Sequence, residues 1–511
     1  MKNMKSLLAV LLILMCFGCN KEKPEPKPEI IDDNYRNVYE IFVASFNDSN
    51  GDKKGDLNGV TAKLDYLEDM GYSAIWMMPI HTSSSYHKYD VMDYYSVDSD
   101  YGTLEDFDKL VAEAHKRSIN IIIDLVVNHT SSAHKWFYEA KNAYVNGTSS
   151  KYVDYYNFQD FPAYGYTQIN NSGKYYESRF VDTMPDLNLD SPAVREEIVN
   201  IMKFWLDRGV DGFRLDAVTS YYTGQDDKNV EFLSWLNREA KKIKEDCYIV
   251  GEAWTGDNVI RNYYSSGIDS FFHFSLSQAE GTLASIVRNS NPHVLFRTAV
   301  NNSISLTNGH IPAIFLDNHD TNRITGAIGR SKIERLKFVY GYTGMLNGCV
   351  YTYYGTEIGM VGSGNDENKR IAMLWDSEDT ASLCRNPAGT TQAEYVYPGV
   401  KQQQKDAESL LNYHKKINYL RNKYPQIARG EVAFAGTLCT KTLSVLEKSW
   451  NDSKICILVN FATEPCEVDV SSLAGYDTID YACINSTDKA ELKSGKVTIP
   501  GYGIAILSVK K

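Results

Sequence analysis

Apolar residues follow two alternating patterns along most of the chain. Near-continuous apolar runs such as 119–127 suit strands that are buried on both faces of a parallel sheet. They alternate with stretches such as 104–114, where apolar residues recur at helical spacing. The strand-like runs lie at 38–46, 73–80, 119–127, 209–215, 247–253, 270–274, 313–316 and 349–354. Eight strands close a (β/α)8 TIM barrel, so the pattern predicts an α/β fold of this class.

Two parts of the chain interrupt this alternation. The stretch 130–190 is rich in Tyr, Asn, Gly and Ser. Because a structureless loop of that length is unusual in a compact domain, we expect an inserted domain after the third strand. It divides the predicted barrel into 37–129 and 191–427. Over 428–511 the helical spacing stops, and short β-rich runs predict a C-terminal antiparallel β-sandwich.

The first residues have the features of an export signal. Two lysines precede an apolar run over 7–17, which is too short to span a bilayer as a helix. Because the run is followed by Cys19, residues 1–19 resemble a bacterial lipoprotein signal, in which that cysteine is lipidated after cleavage. We therefore expect a protein that is exported and lipid-anchored at the cell surface, with plain secretion as the alternative. Residues 20–36 predict a Pro-rich linker that holds the folded part off the membrane.

Composition narrows the possible partners. The formal net charge of −12 argues against nucleic acid, whose phosphates favour a basic surface. Of the nine cysteines, two lie in the predicted signal and the others form no CxxC pair, so neither a disulfide framework nor a zinc site is indicated. We expect a monomer that contacts the membrane only through its lipid anchor.

Polar residues follow four of the predicted strands directly. These segments are Asp124-Leu-Val-Val-Asn128-His129, Gly212-Phe-Arg214-Leu-Asp216, Gly251-Glu252-Ala-Trp254 and Phe315-Leu-Asp-Asn-His319-Asp320. The carboxyl ends of barrel strands are where catalytic side chains collect. Together with Met184-Pro-Asp-Leu-Asn188, the segments resemble the signature regions of the α-amylase family, glycoside hydrolase family 13. The resemblance covers nearly everything from Val38 onward and implies the same barrel, third-strand insertion and C-terminal sandwich.

The resemblance implies a role for each polar residue. Asp216 matches the nucleophile of a retaining glycosidase, and Glu252 matches the proton donor, which has to start protonated. Asp320 matches the third carboxylate, which binds substrate hydroxyls. The positions that match substrate-binding residues are Tyr89 as an aromatic platform, His129 and His319 as hydrogen-bond donors, and Arg214 as the charge partner of Asp216. The implied substrate is an α-glucan polysaccharide or oligosaccharide.

One segment predicts a metal site. Asp48-Ser-Asn50-Gly-Asp52-Lys-Lys54-Gly-Asp56 places oxygen side chains at every second position and a backbone carbonyl at the seventh, as a Ca²⁺ ion requires. The sixth place holds Lys53 instead of Gly, but the loop is similar to the calcium loop after the first strand in oligo-1,6-glucosidase-like relatives. We expect a structural Ca²⁺ ion, with a metal-free polar turn as the alternative. Asn128 is equally compatible with a second metal site and with capping.

Departures from the family pattern bear on specificity. Ala217 follows the predicted nucleophile where 1,6-specific relatives carry Val, and Tyr86 stands where exo-acting relatives carry Asp. Both favour an endo-acting α-1,4-glucan hydrolase, an α-amylase degrading starch and maltodextrins. A 4-α-glucanotransferase or a neopullulanase-type hydrolase using the same site is the alternative. A sugar-binding protein without activity is a third class, which the three intact carboxylates disfavour.

Overall fold

The computed structural model describes residues 26–473 and 475–510. The predicted signal with Cys19 and the first part of the linker lie outside these residues. Within them, the helices are too short or too polar for any to cross a bilayer.

Eight parallel strands form one sheet. Their bounds are Asn37–Ile41, Ala74–Met77, Asn120–Leu125, Gly212–Leu215, Tyr248–Gly251, Ser270–Phe271, Ala313–Phe315 and Cys349–Tyr353. The first strand pairs with both the second and the eighth, and a single bridge between Phe272 and Ala313 joins the sixth to the seventh. The sheet is therefore a nearly closed barrel, which confirms the predicted fold class.

The first predicted strand is too long. The strand ends at Ile41, and Val43–Phe46 forms a short helix instead. The apolar run continues because Val43 and Phe46 are also buried, and a short apolar run does not distinguish a strand from a buried helix.

Helices surround the barrel and cover its strands. In Leu104–His115, the Thr103 side chain accepts from the backbone N–H of Asp106, and the Asp106 side chain accepts from that of Thr103. This capping box starts the helix, whose buried face joins the main core. The other α-helices outside the insertion are Leu57–Thr61, Leu64–Asp69, Pro192–Asp207, Asp226–Ile243, Asp257–Tyr263, Thr282–Ile286, Pro292–Thr307, Ile324–Ile328, Ile333–Gly344, Asp366–Lys369, Val400–Gln403, Leu410–Lys423 and Gln426–Arg429.

The segment between the third and fourth barrel strands has secondary structure of its own. It contains the helix Lys135–Asn146 and an antiparallel sheet of the strands Phe158–Gln159, Tyr166–Gln168 and Tyr175–Glu177. A bridge from His129 to Asp186 joins the end of the segment back to the barrel, and a bridge from Tyr156 to Leu187 lies within the segment. A hairpin of His81–Ser83 and Val91–Val97 follows the second barrel strand. Tyr89 lies in the loop of that hairpin. Because the hairpin and the inserted segment each follow the carboxyl end of a barrel strand, both lie at that end of the barrel.

The C-terminal region consists of two antiparallel sheets that enclose a core. In order across the sheets, the strands are Glu431–Phe434, Leu443–Trp450, Ser453–Asn460, Ile504–Ser508 and Thr478–Ala482 in one, and Cys466–Asp469, Lys496–Ile499 and Glu491–Lys493 in the other. The outer face of the larger sheet packs against the barrel helices Ile333–Gly344 and Leu410–Lys423, in a second apolar cluster.

Candidate active site

A cavity of about 360 Å³ opens at the carboxyl ends of the barrel strands. Asp216 and Glu252 directly follow the fourth and fifth strands, and Asp320 lies five residues after the seventh. These carboxylates line the cavity together with Tyr89 and His129. The strands therefore bring residues that are far apart in the sequence to one site.

Arg214 connects the carboxylates beneath the cavity. Its side chain is 1% exposed, and its Nη1 lies 2.7 Å from Asp216 Oδ1 while its Nη2 lies 3.0 Å from Glu252 Oε1. Nη1 also pairs with Asp124, which faces Arg214 in the parallel register of the third and fourth strands. Burial opposes the positive charge, but the surrounding carboxylates raise the pKa of Arg214 well above its ordinary value.

Glu252 has the electrostatic character of an acid at neutral pH. Burial raises the pKa of Glu252 to about 7; Arg214 opposes the rise, while the charges of Asp216 and Asp320 add to it. Its Oε2 accepts a hydrogen bond of 3.1 Å from the backbone N–H of Ala217. Ala217 has a φ of 45°, an uncommon conformation for a residue with a Cβ. This turn directs the amide that follows Asp216 towards Glu252.

Asp320, unlike Glu252, has an environment that favours the ionised carboxylate. Its Oδ2 lies 3.0 Å from His319 Nε2, and its Oδ1 lies 2.8 Å from Arg370 Nη2. Burial raises the pKa of Asp320, but these cations outweigh burial and lower that pKa well below its ordinary value. Burial lowers the pKa of His319, but Asp320 and Glu40 (2.6 Å from Nδ1) outweigh it and raise that pKa to about 10. Asp320 is thus ionised beside an imidazolium.

Tyr89 and His129 complete the cavity wall. The Tyr89 hydroxyl lies 2.8 Å from His319 Nε2, and the two rings stack at 17° with their centroids 5.7 Å apart. Burial lowers the pKa of His129, so its ring is neutral. His129 Nε2 is buried and has no hydrogen-bond partner within the described chain. An unpaired buried nitrogen beside a cavity is available to a ligand hydroxyl.

The structure brings all seven predicted catalytic and substrate-binding residues into this one cluster. Sequence reasoning assigned no role to Asp124, Glu40 and Arg370. The first two had a signal, since each is a carboxylate inside a buried apolar strand. Arg370 had none, because it lies seventeen residues after the end of the eighth strand, just past the short helix Asp366–Lys369.

The predicted calcium loop lies away from the cavity. Side-chain oxygens of Asp48, Asn50 and Asp52 accept the backbone N–H groups two residues on, at 2.9, 2.9 and 2.8 Å. Lys53 has a φ of 72°, so it makes the sharp turn for which EF-hand loops use glycine. Burial opposes the charge of Asp48, but hydrogen bonds from backbone amides lower its pKa.

The donor set of this loop fits Ca²⁺. Asp56 is buried, and the carboxylate, amide and backbone oxygens of the loop are the ligands that Ca²⁺ prefers. Over 26–473 and 475–510, no group of three or more His, Cys, Asp or Glu is placed to hold a metal. An ion here would therefore depend on the Asn50 amide and the Lys54 carbonyl as well.

Comparisons with known proteins agree with this geometry. The α-amylase catalytic-domain family matches residues 40–430. Alpha-amylase 3 of Dictyoglomus thermophilum is 37% identical over 436 residues, which are 83% of this chain and 85% of that protein. Oligo-1,6-glucosidase of Parageobacillus thermoglucosidasius is 30% identical over 479 residues, 77% of this chain and 84% of that protein. The solved structure of Eubacterium rectale Amy13B superposes with a TM-score of 0.89 at 40% identity, covering 95% of this chain and 97% of that chain.

The family match covers the barrel from the end of its first strand onward, and the matched strands end in the carboxylate cluster described above. The chain therefore belongs to the α-amylase family, glycoside hydrolase family 13, and is a glycoside hydrolase of the α-amylase type.

Proposed function

We propose that this protein is an endo-acting, retaining hydrolase of α-1,4-glucans that degrades starch and maltodextrins at a bacterial cell surface. One observation carries the proposal: the Arg214 guanidinium bonds Asp216 and Glu252 at 2.7 and 3.0 Å. Retaining glycosidases need two carboxyl groups about 5–5.5 Å apart, and a shared guanidinium keeps such a pair together. The predicted lipidation of Cys19 supports the surface location.

In the proposed reaction, Asp216 starts ionised and Glu252 starts protonated. Asp216 attacks the anomeric carbon while Glu252 gives its proton to the glycosidic oxygen, so the bond to the leaving sugar breaks and a glycosyl ester of Asp216 forms. Ionised Glu252 then takes a proton from water, whose oxygen attacks the same carbon and releases Asp216. A Glu252 pKa of about 7 suits both proton transfers.

The other cavity residues hold the sugar. Ionised Asp320 accepts hydrogen bonds from substrate hydroxyls, and its charge favours an oxocarbenium-like transition state. His319, charged by its two carboxylate neighbours, is fully buried beneath Asp320 and holds the Asp320 carboxylate and the Tyr89 hydroxyl in place for the sugar. His129 offers its unpaired Nε2, and the ring of Tyr89 packs against the apolar face of the pyranose.

Two side chains support endo action on α-1,4 bonds. Where exo-acting relatives carry Asp to grip a chain end, the hydroxyl of Tyr86 accepts a hydrogen bond of 3.1 Å from Arg370 Nη1. A neutral phenol held in this way lacks the carboxylate that would select a terminal sugar. Ala217 is smaller than the Val of 1,6-specific relatives.

We include a structural Ca²⁺ ion in the proposal, held by Asp48, Asn50, Asp52, the Lys54 carbonyl and Asp56. Bound there, the ion would neutralise the carboxylates of the loop and stabilise its fold. Thermal unfolding tests this: added Ca²⁺ should raise the Tm of the wild type and leave that of Asp48→Ala unchanged. Equal Tm values with Ca²⁺ and with a chelator would reject the ion.

A time course on amylose tests the proposed function. Iodine staining, reducing ends and product lengths are followed together, with Asp216→Asn as the inactive control. Rapid loss of stain with few reducing ends supports endo action. Slow loss of stain with one dominant small product would indicate exo action or a neopullulanase-type preference for small substrates. Products longer than an added maltotriose, with few new reducing ends, would indicate a 4-α-glucanotransferase.

A further inference from the structure

The inserted segment exposes an unusual amount of apolar surface beside the cavity. Phe161 is 60% exposed, Tyr164 is 93% exposed, Phe180 is 46% exposed and Val181 is 49% exposed. We call these four residues the outer strip. Scattered single apolar residues are normal on a protein surface, but several on neighbouring segments indicate a binding surface.

The two halves of the outer strip lie side by side. The backbone N–H of Ser178 donates to the Gly165 carbonyl at 2.8 Å, which aligns the loop 160–165 with the segment 178–181. Gly165 packs so closely on Arg179 that a Cβ added there would lie 2.7 Å from the Arg179 Cδ. A side chain at position 165 would have to displace the Arg179 side chain, and the φ of 80° at this position also favours glycine.

The outer strip is continuous with the cavity. Phe180 lines the cavity together with Met184. The ring of Phe180 also makes an edge contact with the ring of His129, at a centroid distance of 5.3 Å. Val181 follows Phe180 directly, and the hydrogen bond between Ser178 and Gly165 places the loop that carries Tyr164 and Phe161 beside this segment.

The loop is held in place although its rings are exposed. Asp160 Oδ1 accepts from the Tyr144 hydroxyl at 2.8 Å and from Lys174 Nζ at 3.3 Å. Gln159 Nε2 donates to the Phe161 carbonyl at 2.8 Å. Because these hydrogen bonds already order the backbone near residue 160, binding a ligand on the rings of Phe161 and Tyr164 costs less conformational entropy than it would on a flexible loop.

We propose that the outer strip binds additional glucose units of a long α-glucan, from Phe180 at the cavity wall outward onto the surface of the insertion. The inference rests on the proposed function and specifies that the preferred substrate is a polymer. Pyranose rings have apolar faces that pack on aromatic rings, and a neutral polymer needs no charged partner. Continuity with the cavity favours the substrate chain as the occupant over a separate protein.

The test compares a long and a short substrate in the Phe161→Ala/Tyr164→Ala double variant. The matched control is Tyr138→Ala, which removes another aromatic of 60% exposure from the helix Lys135–Asn146 of the same insertion. For the double variant we expect kcat/KM on amylopectin to fall about tenfold, and that on a nitrophenyl maltotrioside to fall less than about twofold. Retardation in amylopectin-containing native gels should fall in parallel, and the control should match the wild type.

A conservative variant separates aromatic stacking from folding. Phe161→Tyr/Tyr164→Phe keeps both rings and should retain wild-type retardation. Unchanged retardation and unchanged kcat/KM in the double alanine variant would overturn the proposal, and so would equal losses on the long and short substrates. A wild type that is retarded by amylopectin but hydrolyses no α-glucan would reject the proposed function and leave the outer strip supported.

Discussion

Two buried cations, Arg214 and Lys448, have opposite surroundings. Arg214 lies under the active-site cavity and pairs with three carboxylates. Lys448 lies between the barrel and the C-terminal sandwich. Among the residues that the structure describes, its Nζ donates only to neutral oxygens: the Met345 carbonyl at 2.9 Å, Asn347 Oδ1 at 2.7 Å and the Ile427 carbonyl at 2.6 Å. The carboxylates raise the pKa of Arg214, whereas burial and the charge of Arg421 lower that of Lys448 well below its ordinary value.

The different surroundings of Arg214 and Lys448 indicate different roles, one in catalysis and one in the stability of the fold. A carboxylate that ionises inside a protein needs a countercharge, and Arg214 supplies it to Asp216 and, once Glu252 has given up its proton, to Glu252 as well. The oxygens around Lys448 need only donors, because they carry no charge. We therefore expect changes at Arg214 and its partners to affect catalysis, and changes at Lys448 to affect stability alone.

Removing one carboxylate of the Arg214 cluster should have the largest effect. Asp216→Asn removes the proposed nucleophile but keeps its size, so kcat on a nitrophenyl maltotrioside should fall at least about 10⁴-fold. Arg214 keeps Asp124 and Glu252 as partners, and the Tm should therefore change little. A variant that retains a few per cent of the wild-type rate would assign the nucleophile to another residue.

Removing the cation itself should affect both rate and stability. In Arg214→Met the buried carboxylates lose their countercharge, and the free energy of unfolding should fall by about 3–5 kcal/mol. The remaining carboxyls then take up protons more readily when folded than when unfolded, so stability is lost as the pH rises. Denaturant unfolding at pH 5 and pH 8 measures this. A deficit that is larger at pH 5 would show that carboxylate repulsion is not its cause.

The pH dependence of the wild type tests the role of Glu252. A proton donor with a pKa of about 7 loses its proton as the pH rises through that value, so kcat/KM should fall about tenfold per unit above it. Glu252→Gln should abolish this alkaline decline together with most of the activity on amylose. An alkaline decline that persists in Glu252→Gln on an activated nitrophenyl substrate would assign it to a different group.

The same contrast explains what the sequence could and could not predict. Asp216, Glu252 and Asp320 are predictable because each lies in a short motif at the end of an apolar strand, and parallel strands bring such ends together. Arg370 lies in irregular chain, and its contact with Asp320 depends on how that chain returns over the barrel. The deep burial of Lys448 was equally unpredictable, since Lys448 lies between the polar residues Glu447 and Ser449 near the end of a strand, and only domain packing covers it.

The smallest effect, and the sharpest test of the comparison, is expected from Lys448→Met. Methionine has a similar shape but no donor, so three buried acceptors lose a hydrogen bond and the free energy of unfolding should fall by about 1–3 kcal/mol. The exposed Lys441→Met is the matched control and should change stability by no more than about 0.5 kcal/mol. Denaturant unfolding and kcat are measured on both variants. A loss of kcat in Lys448→Met without a loss of stability would link the sandwich to catalysis, and the division between the two cations would then be wrong.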